Sequence, residues 1–516
     1  MSSEQESNNS PDYSMKYVPK FHSGDEALEF IKKNPEAAHK IMNYRIVTDY
    51  EELEKAVLSG ITDFDNSNIQ DEELLKSIRE SSPFEYGQMF DIIDRKKEVY
   101  MPKGSIFKDR LINTLRYLYY HMKMSIYCRV EDNKIKQFIV FVNVNYKNNW
   151  SKYLTFEGEN GEIVSMEKYY QNKRRYYRKE NVIKPENWWA NAHVIDNEPS
   201  VNIWGPHLLS SICDLLYYAT QTNKLKNTSF FINKRDYPML RKDLSEPYSF
   251  LHPKGTQIPK EYIGKGFVPI HSYFSSEAFL DIVSVTTDDW DTLTGMVTLA
   301  EKPIDRYSNI NYEKYKNIKW EDKINRAYFR GSNTQGVDEN SNQRTKLAKI
   351  SYKYNNNSVE PKENSILDAG IVTYNIRDKK INFDSPVTFT RKNKIGVPLA
   401  KFVPMAQGMK NKYLISCPGH SQAARFLYLM KMKVLILKIE SIRPETDELW
   451  FFPLLKPYED FVPVKADLSD LFEQINWCIN NDDKAKNIAK NAYKKYRTLL
   501  AKTNVLKYYA YCINSF

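Results

Sequence analysis

The sequence places reactive side chains directly after three apolar runs that have the length of β-strands. The first run, Phe230–Ile232, is followed by the loop NKRDYP, residues 233–238. Ligands of open α/β sheets bind outside the carboxyl ends of the strands, so a carboxylate here faces the ligand crevice. Asp236 is therefore a candidate general base. The competing interpretation is a surface Asp that makes a local turn hydrogen bond.

A second loop follows the run Arg326–Phe329 and reads RGSNT, residues 330–334. Arg330 offers a planar fork that fits two phosphate oxygens. Gly331 permits close backbone approach, while Ser332 and Thr334 supply hydroxyls. The alternative is an ordinary turn between a strand and a helix, in which the Arg pairs with a nearby acid.

The third loop follows the strand-like run Lys412–Ser416 and reads CPGHS, residues 417–421. Ser421 is a plausible N-cap for the apolar helical pattern that follows. The N-terminus of such a helix attracts phosphate through its free N–H groups and its dipole, and Arg425 lies about one turn further on. The alternative is a structural βαβ unit that binds no ligand.

The surrounding patterns indicate a mixed α/β protein. Phe107–Met122 and Leu208–Ala219 have helical apolar spacing, and two alternating runs between Ser125 and Val142 predict a hairpin. Strand and helix patterns then alternate from Ala327 to Leu499, which favours parallel sheets. We expect residues 1–24 to be a disordered arm, residues 25–103 an extension of unknown role and residues 146–200 a polar insertion.

Composition excludes several classes of protein. The 516 residues suit two or three domains, and 41% hydrophobic with 14% aromatic residues excludes a disordered chain. The longest apolar runs, such as Val434–Leu437, are far too short to span a membrane. A net charge of +10 suits an anionic ligand. Five scattered cysteines form no disulfide framework or zinc spacing, which favours reduced thiols in the cytoplasm.

Six motifs in order along the chain resemble glycosyltransferase family 90, which contains protein O-glucosyltransferases and capsule-associated xylosyltransferases. Each motif alone is weak or moderate, but six in order are specific, and they cover roughly residues 104–500. They are INKRDYP, PIHSYFSSEAFLDI from Pro269, RAYFRGSNT, LDAGIVT with Asp368, NKYLISCPGHSQAARFLYLM, and WFFPLLKPYEDFVPVKADLSDL from Trp450.

The resemblance implies an α/β fold of the GT-B architecture, in which two Rossmann-like domains face a cleft. We place the acceptor-side domain at residues 104–304, the domain that binds the nucleotide sugar at 305–483 and a C-terminal helical segment at 484–516. The implied reaction is inverting transfer of glucose or xylose from a UDP-sugar to a hydroxyl of a protein or glycan acceptor. No metal cofactor is implied.

By position, the resemblance makes Asp236 the catalytic base. If Asp236→Asn keeps its activity, His420 and Asp281 are the next candidates for the base. The expected residues of the donor site come from the second and third loops and from the LDAGIVT motif. They are Arg330, Gly331, Ser332, Thr334, Asp368, Ala369, Gly419, His420, Ser421 and Arg425.

The chain departs from animal members of the family, which are luminal and disulfide-bonded. Its first residues lack the apolar core of a secretory signal, and its last residues are no retention signal. We therefore expect a cytoplasmic protein, and a large DNA virus that builds its own glycans would fit as the source.

Three other readings of the sequence stay open. Asp63-Phe64-Asp65 is a DxD triplet of the kind used by metal-dependent transferases, although such triplets are common by chance. The run Lys173–Lys179 mixes basic and aromatic residues and could bind nucleic acid, although such runs are usually solvated surface. The third is a catalytically inactive member of the family that binds sugar or serves as a structural protein of a virion, because fold does not imply function.

A chelator separates the metal-free reading from the DxD triplet. We predict that release of UDP from the donor survives excess EDTA and the double change Asp63→Ala with Asp65→Ala. In the metal-free reading, Arg330, Arg425 and a helix N-terminus neutralise the leaving diphosphate, whereas carboxylates alone would repel it without Mg²⁺ or Mn²⁺. Activity that disappears in EDTA and returns with Mn²⁺ would contradict the metal-free mechanism.

Overall fold

The fold comes from a computed structural model and is built on two main sheets with their helices. The structure describes residues 20–21, 46–61, 72–143, 154–157, 161–165, 192–195, 198–201, 206–233, 235–247, 256–294, 297–298, 309–335, 340, 342–357, 364–373, 387–389, 396–443 and 448–516.

The described strands are labelled β1 to β18 in chain order. They are Lys20–Phe21, Ile46–Val47, Met124–Glu131, Lys134–Val142, Leu154–Glu157, Ile163–Ser165, Ala192–Ile195, Glu198–Val201, Thr228–Asn233, Ile270–Ser272, Ile282–Val283, Val297–Thr298, Ile324–Ser332, Leu367–Thr373, Val387–Phe389, Asn411–Ser416, Leu435–Ile439 and Val462–Val464.

The described α-helices are labelled α1 to α13 in the same way. They are Tyr50–Leu58, Glu72–Ser81, Gly87–Asp94, Lys97–Tyr100, Phe107–Arg116, Pro206–Thr222, Thr287–Thr294, Asn309–Tyr315, Gln343–Asn357, Phe426–Lys431, Leu471–Asn480, Asp482–Arg497 and Lys502–Asn514.

The first main sheet has six strands in the order β11-β10-β9-β3-β4-β2. Strands β9, β10 and β11 are parallel, while β3 is antiparallel to both β4 and β9. The hairpin predicted from the sequence is confirmed as β3 and β4. Its two turn residues, Asp132 and Asn133, have φ angles of 50° and 57°, as a tight turn that follows the twist of the strands requires.

The second main sheet has five strands in the order β14-β13-β16-β17-β18, and all its pairings are parallel. Helices cover both faces of a parallel sheet, so strands inside the sheet are buried on both sides. All six residues of β16 and four of the five residues of β17 are buried. The parallel α/β class predicted from the alternating patterns is confirmed.

The last helix, α13, packs against the first half of the chain. Asn514 is fully buried, donates from Nδ2 to the Lys224 carbonyl at 3.0 Å and accepts from the Lys226 N–H at 2.8 Å. Tyr511 of the same helix stacks on Phe90 of α3 at 4.0 Å between ring centroids. The described helices before residue 104 therefore share a core with the six-stranded sheet.

All five cysteines are buried and none forms a disulfide. Burial raises the pKa of the Cys417, Cys478 and Cys512 thiols to about 12, so these thiols stay protonated and pack as small apolar groups. Among the residues that the structure describes, no helix has the length and apolar character needed to cross a bilayer.

The buried amide of Asn514 gives a test of the packing of α13. We predict that Asn514→Ala lowers the midpoint of thermal unfolding by at least ~2 °C, because the fully buried amide loses two part-buried hydrogen bonds, to the Lys226 N–H and the Lys224 carbonyl, worth roughly 0.5–1.5 kcal/mol each. Asn504→Ala is the matched control, since Asn504 lies on the same helix and its bond to the Thr498 carbonyl is exposed. Equal midpoints for the two variants, measured by calorimetry, would show that α13 is not held in this way.

Candidate functional site

The order of the strands in the five-stranded sheet places two of the predicted loops side by side. From β13 the chain moves to β14 on one side of the sheet, and later returns to β16 on the other side. The loops after β13 and β16 therefore leave the same sheet edge in opposite directions. Such a reversal of strand order is where open α/β sheets bind ligands.

Arg330 and Asp368 form an ion pair between β13 and β14. The sequence suggested a loop after Phe329, but β13 continues to Ser332 and alternates, with Tyr328, Arg330 and Ser332 on its half-buried face. Arg330 Nη2 donates to both carboxylate oxygens of Asp368 at 2.8 and 2.9 Å. Its guanidinium also lies 4.5 Å from the centre of the Tyr328 ring. The fork expected to hold phosphate is thus occupied by a carboxylate.

Ala369, the neighbour of Asp368, belongs to the opposite face of β14. Its side chain is buried in the apolar core of the five-stranded sheet, and its N–H donates to Ser351 Oγ of α9 at 2.9 Å. A cavity of about 500 Å³ lies beside Asp368 and Ala369, between α9 and residues 397–400. This volume is within the range of pockets that hold small organic ligands.

Arg425 and Gly331 are in contact across the gap between the two loops. Arg425 Nη1 donates to the Arg330 carbonyl at 2.8 Å, and the guanidinium lies 5.6 Å from the centre of the Phe329 ring. A Cβ at Gly331 would stand 2.8 Å from Phe329 Cζ and 3.2 Å from Arg425 Nη2. The missing side chain of Gly331 therefore makes room for the guanidinium of Arg425.

The structure corrects the predicted start of the helix after β16. The sequence suggested Ser421 as the N-cap, but α10 begins at Phe426 and Arg425 takes the capping position. Residues 420–425 instead form bends and a turn, and the Gly419 N–H donates to the Ser421 carbonyl at 2.8 Å. His420 and Ser421 are each 6% exposed in this turn. Positive charge here comes from Arg425, and not from a helix end at Ser421.

Gly419 and Thr334 bring the two loops into direct contact. A Cβ at Gly419 would lie 2.5 Å from Thr334 Oγ1 and 3.0 Å from Arg344 Nη2. Arg344 of α9 donates from Nη1 to Thr334 Oγ1 at 3.0 Å and from Nη2 to the Cys417 carbonyl at 2.9 Å. The structure thus brings Gly331, Ser332, Thr334, Gly419 and Arg425 together.

Asp236 lies on the other main sheet, at the carboxyl end of β9. Asn233, the last residue of β9, is fully buried and shapes the loop that carries Asp236. Its Nδ2 donates to the Tyr237 carbonyl at 2.7 Å, and its Oδ1 accepts from the Arg235 N–H at 2.8 Å. Asp236 is half-buried in the turn that these two bonds close.

Asp281, a reserve candidate for the base, has a structural role. It is fully buried and accepts hydrogen bonds from the N–H groups of Met239 and Leu240 at 2.7 and 2.8 Å. Ser272 Oγ also donates to it at 2.5 Å, while desolvation raises its pKa. Asp281 is therefore not exposed to an acceptor substrate. Its hydrogen bonds instead fix Met239 and Leu240, which follow the Asp236 loop.

Two candidates from the sequence fall where the structure gives no description. Asp63 and Asp65 of the DxD triplet lie outside the described residues, as does the basic run Lys173–Lys179.

Sequence reasoning missed Arg344 and Asn233, which hold the candidate loops in place. An Asn at the end of a strand is common, and the residues next to Asn233 in the sequence do not indicate that its side chain bonds to Tyr237 and Arg235. The position of Arg344 was one signal of its role. A cation in the first turn of a helix is disfavoured by the helix dipole, so it indicates contacts with groups outside the helix.

Comparison with known proteins assigns the chain to a family. Residues 210–516 match Glycosyl transferase family 90, which is more than half of the chain, and the chain belongs to this family. The family expected from the six motifs is therefore confirmed.

The relatives include viral and animal proteins. Uncharacterized protein 179R of Invertebrate iridescent virus 6 is 31% identical over 440 residues, which are 77% of this chain and 36% of that protein. Protein O-glucosyltransferase 3 of Homo sapiens is 27% identical over 297 residues, which are 57% of this chain and 48% of that protein. Protein O-glucosyltransferase 2 of Danio rerio is 26% identical, over 61% of this chain and 53% of that protein.

The chain thus spans about a third of the viral relative and about half of each animal one. The viral relative is consistent with the viral source expected from the sequence.

The contact between Gly419 and Thr334 gives a test of the site. We predict that Gly419→Ala weakens binding of UDP, the ligand implied by the resemblance, by about tenfold, or about 1.4 kcal/mol. The added methyl group would push Thr334 and its loop away. Gly87→Ala is the control, because a Cβ at Gly87 would meet no atom within 4 Å. Calorimetric titration measures both, and unchanged affinity in Gly419→Ala would place UDP elsewhere.

Proposed function

We propose that this family 90 glycosyltransferase moves a sugar from a UDP-sugar to a hydroxyl group with inversion of the anomeric centre, without a metal cofactor. The observation that carries the proposal is the cluster at the reversal of strand order. There Arg425 donates to the Arg330 carbonyl and Arg344 donates to Thr334 Oγ1, so two cations and a hydroxyl lie where the loops after β13 and β16 meet.

The donor half of the proposed mechanism needs positive charge where the bond to the diphosphate breaks. Negative charge accumulates on that leaving group, and fixed cations aimed at it lower the barrier. Arg425 supplies the cation between the two loops. Arg330 contributes through Asp368, because the ion pair fixes the carboxylate beside the cavity of about 500 Å³, where it can accept from a ribose hydroxyl.

The acceptor half needs a base on the opposite side of the sugar. In a single displacement the attacking hydroxyl loses its proton as it forms the new bond, and a carboxylate within about 2.6–3.2 Å accepts that proton. Asp236 fills this role from the loop after β9, on a different sheet from the proposed donor site. The proposal therefore assigns the two halves of the reaction to two Rossmann-like domains that face a cleft, which is the GT-B arrangement.

The names of the two animal relatives narrow the substrates that we propose. Two of them are protein O-glucosyltransferases, so glucose as the sugar and a protein hydroxyl as the acceptor come first. Xylose and a glycan hydroxyl follow, from the capsule-associated branch of the family. Five buried and unpaired cysteines support a reducing compartment such as the cytoplasm as the place of action.

Removal of the proposed base tests this mechanism. We predict that Asp236→Asn lowers the release of UDP from UDP-glucose or UDP-xylose, with water or acceptor as the attacking group, by about 10²–10⁴-fold. Binding of UDP should stay unchanged, because Asp236 belongs to the other sheet. Asp243→Asn is the control, since the Asp243 carboxylate lies nearby in the chain and bonds locally to Ser245. Turnover of Asp236→Asn near the wild-type rate would place the base elsewhere.

A further inference from the structure

Arg344 is a buried cation at the start of α9. The helix begins at Gln343, so Arg344 lies in its first turn, and the residue is only 6% exposed. A positive charge at this end of a helix is disfavoured by the helix dipole, and its burial costs further free energy. Its position therefore depends on strong contacts with groups outside the helix.

Those contacts reach both loops of the proposed donor site. On the β13 side, Nη1 donates to the Ser332 carbonyl at 2.9 Å and to Thr334 Oγ1 at 3.0 Å. On the β16 side, Nε and Nη2 donate to the Cys417 carbonyl at 3.2 and 2.9 Å, and Nε also donates to the Pro418 carbonyl at 3.0 Å. One planar guanidinium thus bridges the two loops.

Every described acceptor of Arg344 is a neutral oxygen, in contrast to Arg330, whose charge is balanced by Asp368. Burial and the neighbouring Arg425 lower the pKa of Arg344 to about 10, so it remains charged at neutral pH. The two loops therefore enclose a positive charge that no described carboxylate balances. An anion that enters between them reduces the cost of burying this charge.

We propose that Arg344 is a positioning residue that holds the Ser332–Thr334 and Cys417–Gly419 segments at the separation that fits a diphosphate. It acts through these segments, and Arg425 with the hydroxyl of Ser332 or Ser421 makes the direct contacts. The proposal rests on the proposed function in one respect, that the ligand is a nucleoside diphosphate.

This role differs from that of a residue that only stabilises the fold. If the separation of the two segments fits the diphosphate, a change in that separation weakens binding of the diphosphate only. Binding of uridine, which carries no phosphate, then stays intact. Lysine keeps the charge, but its single ammonium nitrogen cannot reproduce the planar arrangement in which Nε, Nη1 and Nη2 of Arg344 donate to the two loops.

The test compares the affinities of each variant for UDP and for uridine, by calorimetry and by saturation-transfer NMR. In Arg344→Lys we expect UDP affinity to fall at least about tenfold with uridine affinity unchanged, so that the preference for UDP over uridine falls by the same factor. A wild-type preference in Arg344→Lys, or an equal loss for both ligands, would overturn the proposal.

Two further variants keep the test decisive. Thr334→Val removes one of the oxygens that Arg344 holds while it preserves shape, and should lower the same preference by a smaller factor. If Arg344→Lys does not fold, a wild-type preference in Thr334→Val overturns the proposal. Arg129→Lys is the control, because Arg129 is a fully buried arginine of the six-stranded sheet, and the preference should survive any loss of stability there.

The wild-type protein separates this inference from the proposed function. If the wild type binds neither UDP nor uridine, the proposed function fails, and this inference fails with it. If the wild type prefers UDP and the variants keep that preference, only the role of Arg344 is refuted.

Discussion

The parallel pairing of β13 with β16 is the constraint on which the candidate site depends. Ala327 pairs with Tyr413 and Tyr328 with Leu414, while β14 lies on the other side of β13. This order places the loops that follow β13 and β16 side by side at one sheet edge, where they lead in opposite directions and where open α/β sheets have their ligand crevice. Two glycines allow the loops to approach closely. A Cβ at Gly331 would meet Arg425, and a Cβ at Gly419 would meet Thr334.

The elements of the fold were predictable where their signal is local. The hairpin of β3 and β4 is an example, because alternation and two turn residues lie within one short segment. The start of α10 was not predictable from Ser421, since the N-cap rule considers one side chain and the turn at Gly419 displaces the helix to Phe426. An N-cap preference is too weak to oppose such a turn.

Long-range partners account for what the sequence could not show in the site. The motif around Arg330 indicated either a phosphate ligand or an ion pair, and the carboxylate that occupies its fork is 38 residues away. Arg344 contacts Cys417, which is 73 residues away. Such contacts follow from the strand order, which no local pattern specifies. The base proposed for the reaction, Asp236, likewise has a well-defined loop but a role that depends on how two sheets are arranged.

The position of a bound nucleotide tests the central claim most directly. A crystal structure of this chain with UDP should show the diphosphate between the loops after β13 and β16, in contact with Arg425 and with a hydroxyl of Ser332 or Ser421. The uridine should lie on the side of Asp368, by the cavity of about 500 Å³. A diphosphate bound away from both loops, or no bound UDP at saturating concentration, would contradict the account.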